Sequence, residues 1–451
     1  RRRKWEYLLV KIILPELCLV VLVGTSGSGK STFARRHFKP TEVISSDFCR
    51  GLVADDELDQ SASGDAFEVL RFIANKRLSA GRVTVIDATN VKPEDRQSLI
   101  NLAKDQNCLS AAIVLNVDEN ICHERNQART DRSFGPHVIR NQRRALSRSL
   151  RGLRKEGFHR VYILESPDDI DASTVEYVPL WNNLKHEAGP FDIIGDVHGC
   201  FDELLKLLIE LGYNVQKKDS KWQYEVSHPQ GRKVILVGDL VDRGPRTPDV
   251  LRLAMSMVAS GTALCVAGNH DVKLMRKLQG KKVSMTHGLP ESVEQLESES
   301  DEFKEEIIRF LDGLIGHYVL HDGKLVVAHA GLKESFQGRS SARVRDFALY
   351  GETTGETDEY GLPVRYNWAA DYRGKAMVVY GHTPVPESEW LNHTICLDTG
   401  CVFGGKLTAM RYPEKELVQV PAARVYYQPV KPLMPENGRH NGKRDEELNI
   451  T

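Results

Sequence analysis

The octet Gly238-Asp239-Leu240-Val241-Asp242-Arg243-Gly244-Pro245, directly after the apolar run Val234–Val237, narrows the choice of fold more than any other stretch. A short apolar run closed by a turn signal reads as a buried strand. A carboxylate at the end of such a strand is well placed to bridge two metal ions. The flanking chain repeats the pattern. Asp196-Val197-His198 follows Phe191–Ile194, and Asn269-His270-Asp271 follows Ala263–Ala267. His329 follows Leu325–Ala328, and His382 follows Met377–Tyr380 and one glycine. Each cluster lies at a strand-to-loop junction, where an open α/β sheet builds its sites. One such residue alone is more often structural; five clusters in order point to a metal centre.

Histidine mixed with carboxylate and amide oxygen suits Mn²⁺, Fe or Zn²⁺. Two such ions about 3.5–4 Å apart clamp phosphoryl oxygens and bring the pKa of a bound water toward roughly 7. In that scheme Asp239 bridges, and His270 protonates the leaving oxygen. Asp242 orients His270, and Arg243 holds a non-bridging phosphate oxygen.

The first half carries a second constellation. Leu17–Val23 reads as a strand leading into Gly24-Thr25-Ser26-Gly27-Ser28-Gly29-Lys30-Ser31 and a helical stretch. That is a complete phosphate loop in its required strand–loop–helix context. Gly24, Gly27 and Gly29 let backbone N–H groups turn toward ATP phosphates, Lys30 reaches the β/γ-phosphates, and Ser31, followed by Thr32, binds Mg²⁺. A second strand, Thr41–Ser45, ends at Ser46-Asp47-Phe48-Cys49-Arg50. Asp47 either takes a proton from an attacking hydroxyl or caps the following helix. Arg50 is placed to hold a phosphate of the acceptor. Phe67 and Leu70, at helical spacing, read as core rather than ligand contacts. Arg82–Asp87 is a strand ending in Asp87-Ala88-Thr89-Asn90. Arg125 and Arg129 are four apart, which predicts one helix face and a lid over ATP phosphates, or else a solvated basic face. Between Arg125 and Arg160 there are eleven lysines and arginines against only Asp131 and Glu156, a local polyanion footprint.

Composition bounds these readings. The chain has 451 residues and a formal net charge of −1, so any polyanion site must be a local patch. None of the eight cysteines is in Cys-x-x-Cys spacing, which argues against a zinc site of that kind and for buried free thiols. Dispersed thiols favour a reducing, cytoplasmic setting. The apolar run Ile12–Val23 is too short to span a bilayer, so no membrane role is expected. The basic start Arg1–Lys4 leads into the phosphate loop rather than a cleavage site, so it is not read as a signal peptide. The chain starts at Arg1 rather than Met, as a trimmed chain or a fragment would.

Two resemblances follow from these motifs. Residues 1–170 resemble the 5′-OH polynucleotide kinases, through the phosphate loop, Ser-Ser-Asp-Phe-Cys-Arg, Asp-Ala-Thr-Asn and Arg-Asn-x-x-Arg-x-x-Arg. The resemblance implies Asp47 as general base, Arg50 as acceptor-strand contact, and Arg125 and Arg129 as lid arginines. Residues 191–428 resemble the calcineurin-like metallophosphoesterases. That resemblance implies Asp196, His198 and Asp239 on one metal, and Asp239, Asn269, His329 and His382 on the other. Gly381-His382-Thr383 departs from a Gly-His-x-His variant, which leaves the first metal more open to water. The two halves in one chain resemble the bacterial polynucleotide kinase-phosphatases of RNA repair. This implies ATP with Mg²⁺ in the first domain and two Mn²⁺ or similar ions in the second. The substrates implied are RNA ends, with DNA ends and a homodimer left open. Chains of that family continue into a ligase-type domain and partner with an RNA 3′-terminal methyltransferase. Here residues 429–451 read as a polar tail or linker, and residues 171–190 as the linker between two α/β domains: a parallel sheet flanked by helices, then an α/β sandwich. Two rivals stand beside this reading. One is a Ser/Thr protein phosphatase with a regulatory NTP-binding domain. The other is a nucleoside kinase fused to a dinucleoside-polyphosphate hydrolase.

Overall fold

The computed structural model describes residues 10–129, 135–219 and 223–430. The chain divides into two compact units, Arg1–Asn183 with Gly338–Arg345, and Leu184–Gln337 with Asp346–Thr451.

The first unit is built on a parallel five-stranded sheet in the order Val43–Ser45, Thr84–Asp87, Cys18–Val23, Leu109–Leu115, Arg160–Leu164. Every residue of Cys18–Val23 is buried. An unbroken apolar strand is what a parallel sheet covered on both faces requires. Alternate side chains supply the two layers. Leu19, Val21 and Val23 pack with Leu70 and Ile100. Val20 and Leu22 pack with Phe33 and Ile113. Central placement of Cys18–Val23 puts the loop after it at the carboxyl edge of the sheet, between two neighbouring strands, where ligands collect.

The second unit stacks two sheets. One runs Ala263–Cys265, Lys233–Leu236, Phe191–Ile194, Lys406–Tyr412, Leu417–Pro421. In the other, Trp390–Leu391, Thr394–Cys396, Met377–Tyr380, Leu325–Ala328 and His317–Leu320 follow in that order. Phe191, Ile193, Ile235, Val327, Val379 and Met410 fill the layer between them. The parallel pairs Phe191–Ile194/Lys233–Leu236 and Leu325–Ala328/Met377–Tyr380 bring their carboxyl ends, and the loops after them, to one rim.

One segment differs from the sequence expectation. Residues 171–190 are not bare connector: Thr174–Val178 pairs in parallel with Lys11–Pro15, and its Val175 packs against the core that buries Ile12 and Leu14. The acidic stretch 291–306 falls in two helices, Leu289–Glu297 and Asp301–Asp312, and the short turn between them. Leu296, Ile307 and Leu311 anchor them in the core. Strand structure ends at Pro421. All eight cysteines are buried and unpaired. No helix among the described residues is long and apolar enough to cross a membrane.

Candidate functional site

In the first unit the phosphate loop closes a cavity of about 520 Å³. Gly27 and Gly29 take left-handed φ of 81° and 99°, and Gly29 precedes the helix Lys30–His37. A side chain at Gly27 would collide with the backbone of Cys122. Lys30 Nζ donates to the carbonyls of Gly24 (2.9 Å) and Thr25 (2.8 Å), curled onto the loop it serves. Ser31 and Thr32 line the same cavity. Ser45, not Asp47, caps the helix Ser46–Ala54, accepting from the Asp47 and Phe48 N–H groups. The Asp47 carboxylate instead accepts from Arg50 Nη2 at 2.5 Å. Arg50 is only 7% exposed and also donates to the Glu57 carbonyl. Asp87 and Thr89 face the cavity, whereas Asn90 turns inward and donates to Leu22 O.

The two lid arginines are not on one helix face. The helix Glu119–Gln127 ends before Arg129, because the turn tightens at Ala128, whose N–H reaches both Asn126 O and Glu124 O. Arg125 and Arg129 nevertheless line the same cavity. Phe67, expected as core, touches both the core and this cavity. Gln142 was missed: its Oε1 accepts from Ser26 N–H at 2.8 Å, so the basic helix Pro136–Leu150 reaches the phosphate loop. Part of the lid motif, Thr130 to Arg132, lies outside the described residues, as does 431–451.

In the second unit Asp239, Asn269, His270 and His382 line the floor of a cavity of about 710 Å³. His198 Nδ1 donates to Val241 O (2.8 Å) and His329 Nδ1 to Val237 O (3.0 Å), which turns each Nε2 inward. A backbone carbonyl on Nδ1 is how a ligand histidine is usually oriented. His329 Nε2 lies 3.0 Å from Asn269 Oδ1, 3.0 Å from His382 Nδ1 and 3.3 Å from Asp239 Oδ2. His198 Nε2 lies 3.7 Å from the same Asp239 oxygen. Asp239 therefore stands between the two histidine groups. His198, Asp239 and His270 form one cluster of potential ligand atoms, and Asp239, His329 and His382 another. Asp196 flanks them, its carboxylate accepting from His382 N–H at 3.1 Å.

The electrostatics fit a missing positive charge. Burial, then repulsion from Asp398, holds Asp196 well above the usual carboxylate range. Burial pushes Asp271 up to about 7 and Asp398 up to about 6. Burial works against the Asp239 carboxylate too, but His329 and His270 outweigh it and hold it low. Burial alone would lower His329; Asp239 and Asp196 prevail and lift it to about 9. The His382 Nε2 atom is buried without a partner. Packed lone pairs and carboxylates of this kind are what a pair of divalent cations neutralises. His198, Asp239, His329, His382, Asn269 and Asp196 fit as their holders.

Around this floor, His270 Nδ1 donates to Asp242 Oδ2 at 2.7 Å. Arg243 donates to His198 Nε2 (2.7 Å) and His270 Nε2 (3.0 Å). His198, Asp239, Asp242, Arg243 and His382 all have φ between 44° and 75°. Non-glycine residues in this region cost of order 1–3 kcal/mol each and cluster at functional sites.

A model of the calcineurin-like phosphoesterases matches residues 189–412, and a model of the AAA domain matches residues 19–153. A bis(5′-nucleosyl)-tetraphosphatase PrpE of Anoxybacillus flavithermus is 46% identical over 241 residues, covering 52% of this chain and 96% of that protein. This chain belongs to the calcineurin-like phosphoesterase family. Proteins of the same name from Halalkalibacterium halodurans (46% over 236 residues, 51% of this chain and 94% of that protein) and Bacillus subtilis (44% over 240 residues, 52% and 96%) match it similarly. The chain thus joins a phosphoesterase domain to a P-loop kinase-like domain, and implies divalent metal at one and nucleotide at the other.

Two residues of the phosphoesterase centre escaped the motif reading. Asp398 follows the strand Thr394–Cys396, accepts from Gly400 N–H at 3.0 Å, and presses on Asp196. It carries the same strand-then-carboxylate signal as Asp239. Arg365, from the strand Pro363–Arg365, lines the cavity wall with Leu362, Val364, Phe403 and Tyr427.

Proposed function

We propose that this chain heals polynucleotide ends, phosphorylating a 5′-OH with ATP and removing a 2′,3′-cyclic, 2′- or 3′-phosphate. The observation that carries the reading is the Asp47–Arg50 pair opening into the same cavity as the phosphate loop. A purely regulatory nucleotide site has no use for a carboxylate and a buried guanidinium facing the phosphates. Asp47 accepts the proton of the incoming 5′-OH while Arg50 holds the acceptor's phosphate. Lys30, Arg125 and Arg129 stabilise charge on the phosphoryl group in flight, and Ser31 supplies a hydroxyl for Mg²⁺. The basic helix Pro136–Leu150 offers the polymer's backbone a contact.

In the phosphoesterase centre, Mn²⁺ or a similar ion pair would supply a nucleophilic hydroxide at neutral pH and a clamp on phosphoryl oxygens. The chain's own groups do the rest. Arg243 holds a non-bridging phosphate oxygen. His270, kept upright by Asp242, gives a proton to the leaving ribose oxygen.

A second reading is favoured by one observation. The relatives over this domain are named as tetraphosphatases acting on bis(5′-nucleosyl) compounds. Measuring kcat/KM for an RNA 3′-terminal phosphate and for diadenosine tetraphosphate in one preparation decides between them. End healing predicts a higher value for the RNA end. A tetraphosphate value above it by tenfold or more assigns the domain to the second reading.

A further inference from the structure

Among the described residues, three groups bring metal-capable side-chain atoms together. Two form the phosphoesterase centre. The third, Cys200, Glu203 and Cys401, shares no residue with it, and its ligand atoms all lie within 4.8 Å of one another. The cysteines are far apart in sequence, so Cys-x-x-Cys spacing never signals them. The fold joins them because Cys200 closes the loop after His198, while Cys401 opens the single turn Cys401–Phe403 after Asp398.

Glu203 does not behave like an ordinary carboxylate in the first turn of a helix. It is 4% exposed and sits in Phe201–Glu210, beside the apolar core that holds both cysteines. Its Oε1 is satisfied by the Ala423 N–H (2.9 Å) and the Tyr426 O–H (2.8 Å). Its Oε2 is buried with no hydrogen-bond partner. An unpartnered buried carboxylate oxygen is costly unless a cation or proton meets it. A disulfide between the thiols would leave that oxygen as it is. A cation would satisfy all three groups at once.

We propose that Cys200, Cys401 and Glu203 form a second, separate site for a soft divalent cation of the zinc class. Thiolates bind such an ion at about 2.3 Å and carboxylate oxygen at about 2.0–2.2 Å, so three ligand atoms already this close need only small movements to close on it. The fourth position falls to a non-protein ligand. On binding, each cysteine gives up its S–H proton to solvent. The cation would tie the loop after His198 to the turn after Asp398. Through Glu203 it would also tie both to the segment Ala423–Tyr426, next to Tyr427 on the cavity wall. It is a structural clamp behind the phosphoesterase centre.

The test is a Co²⁺ titration of the full chain under reducing conditions, followed by absorption. The ligand set of the phosphoesterase centre has no thiolate, so a near-ultraviolet sulfur-to-cobalt charge-transfer band reports only a thiolate site. The expected result is such a band saturating at one Co²⁺ per chain. Cys200→Ser and Cys401→Ser should each abolish it, and Glu203→Gln should weaken the cobalt affinity at this band at least tenfold. No band in the wild type while the visible bands of the phosphoesterase centre fill would overturn the proposal. A band that survives both cysteine substitutions would do so as well. A third contrary result is thiol titration of the unfolded, unreduced chain two thiols short, with no band after reduction. That outcome marks a disulfide pair instead.

Discussion

At the scale of single residues, the phosphoesterase centre separates holders from actors. The Asp242 carboxylate accepts from His270 Nδ1 and so acts by positioning that ring. Asp242→Asn should lower kcat by about 10–100-fold, the usual cost of losing such a partner, with metal content unchanged. Loss of metal by elemental analysis would instead make Asp242 a ligand. His270→Ala should cost about 10²–10⁴-fold on a ribose phosphate, whose leaving oxygen needs a proton. It should cost far less on p-nitrophenyl phosphate, whose leaving group does not. Equal losses on both substrates would remove the general-acid role. Most of these residues were legible because each stands where an apolar run stops. Asp398 carried the same mark and was passed over, since the run before it is only three residues long. Glu203 could not be found in advance. A glutamate in the first turn of an amphipathic helix reads as solvated until the segment Ala423–Tyr426 folds over it.

At the scale of elements, the close approach of loops limits what the chain tolerates. Gly381 lies against the Asp196 carboxylate, and a Cβ there would collide with it. Gly381→Ala should therefore displace Asp196 or His382 and abolish phosphatase activity while far-ultraviolet circular dichroism stays unchanged. Retained activity would show that the loop can give way. The strand His317–Leu320 carries a second constraint. Burial pushes His317 down to about 4. An unfolded histidine titrates near 6.5, so between roughly pH 6.5 and 4 the unfolded chain binds the proton that the folded chain refuses. Stability is therefore full above that window and falls as the pH drops through it, by up to about 3 kcal/mol. His317→Gln should flatten the acid limb of urea unfolding between pH 7 and 5; an unchanged limb contradicts the assignment. Element types followed from periodicity, but their ends did not. Arg129 falls off its helix because the turn tightens at Ala128, which four-residue spacing cannot reveal. The helices within 289–312 were hidden by acidic residues on their outer faces, while Leu296, Ile307 and Leu311 decided the structure.

At the scale of the whole molecule, a P-loop kinase-like domain and a phosphoesterase domain share one chain. On the function proposed above, one adds a phosphate and the other removes one, from cavities with no residue in common. Both were visible in outline because phosphate loops and metal clusters use fixed spacing. The substrate was not, since apolar walls such as Phe403 and Tyr427 carry no such spacing. The most direct measurement uses one RNA strand bearing a 5′-OH and a 2′,3′-cyclic phosphate, incubated with labelled ATP, Mg²⁺ and Mn²⁺. Wild type should yield a labelled 5′-phosphate and a free 3′-OH on the same strand. Asp47→Ala should lose only the label, and Asp239→Ala only the release of the 3′ phosphate. A wild-type protein that alters neither end, while hydrolysing diadenosine tetraphosphate, would contradict the account.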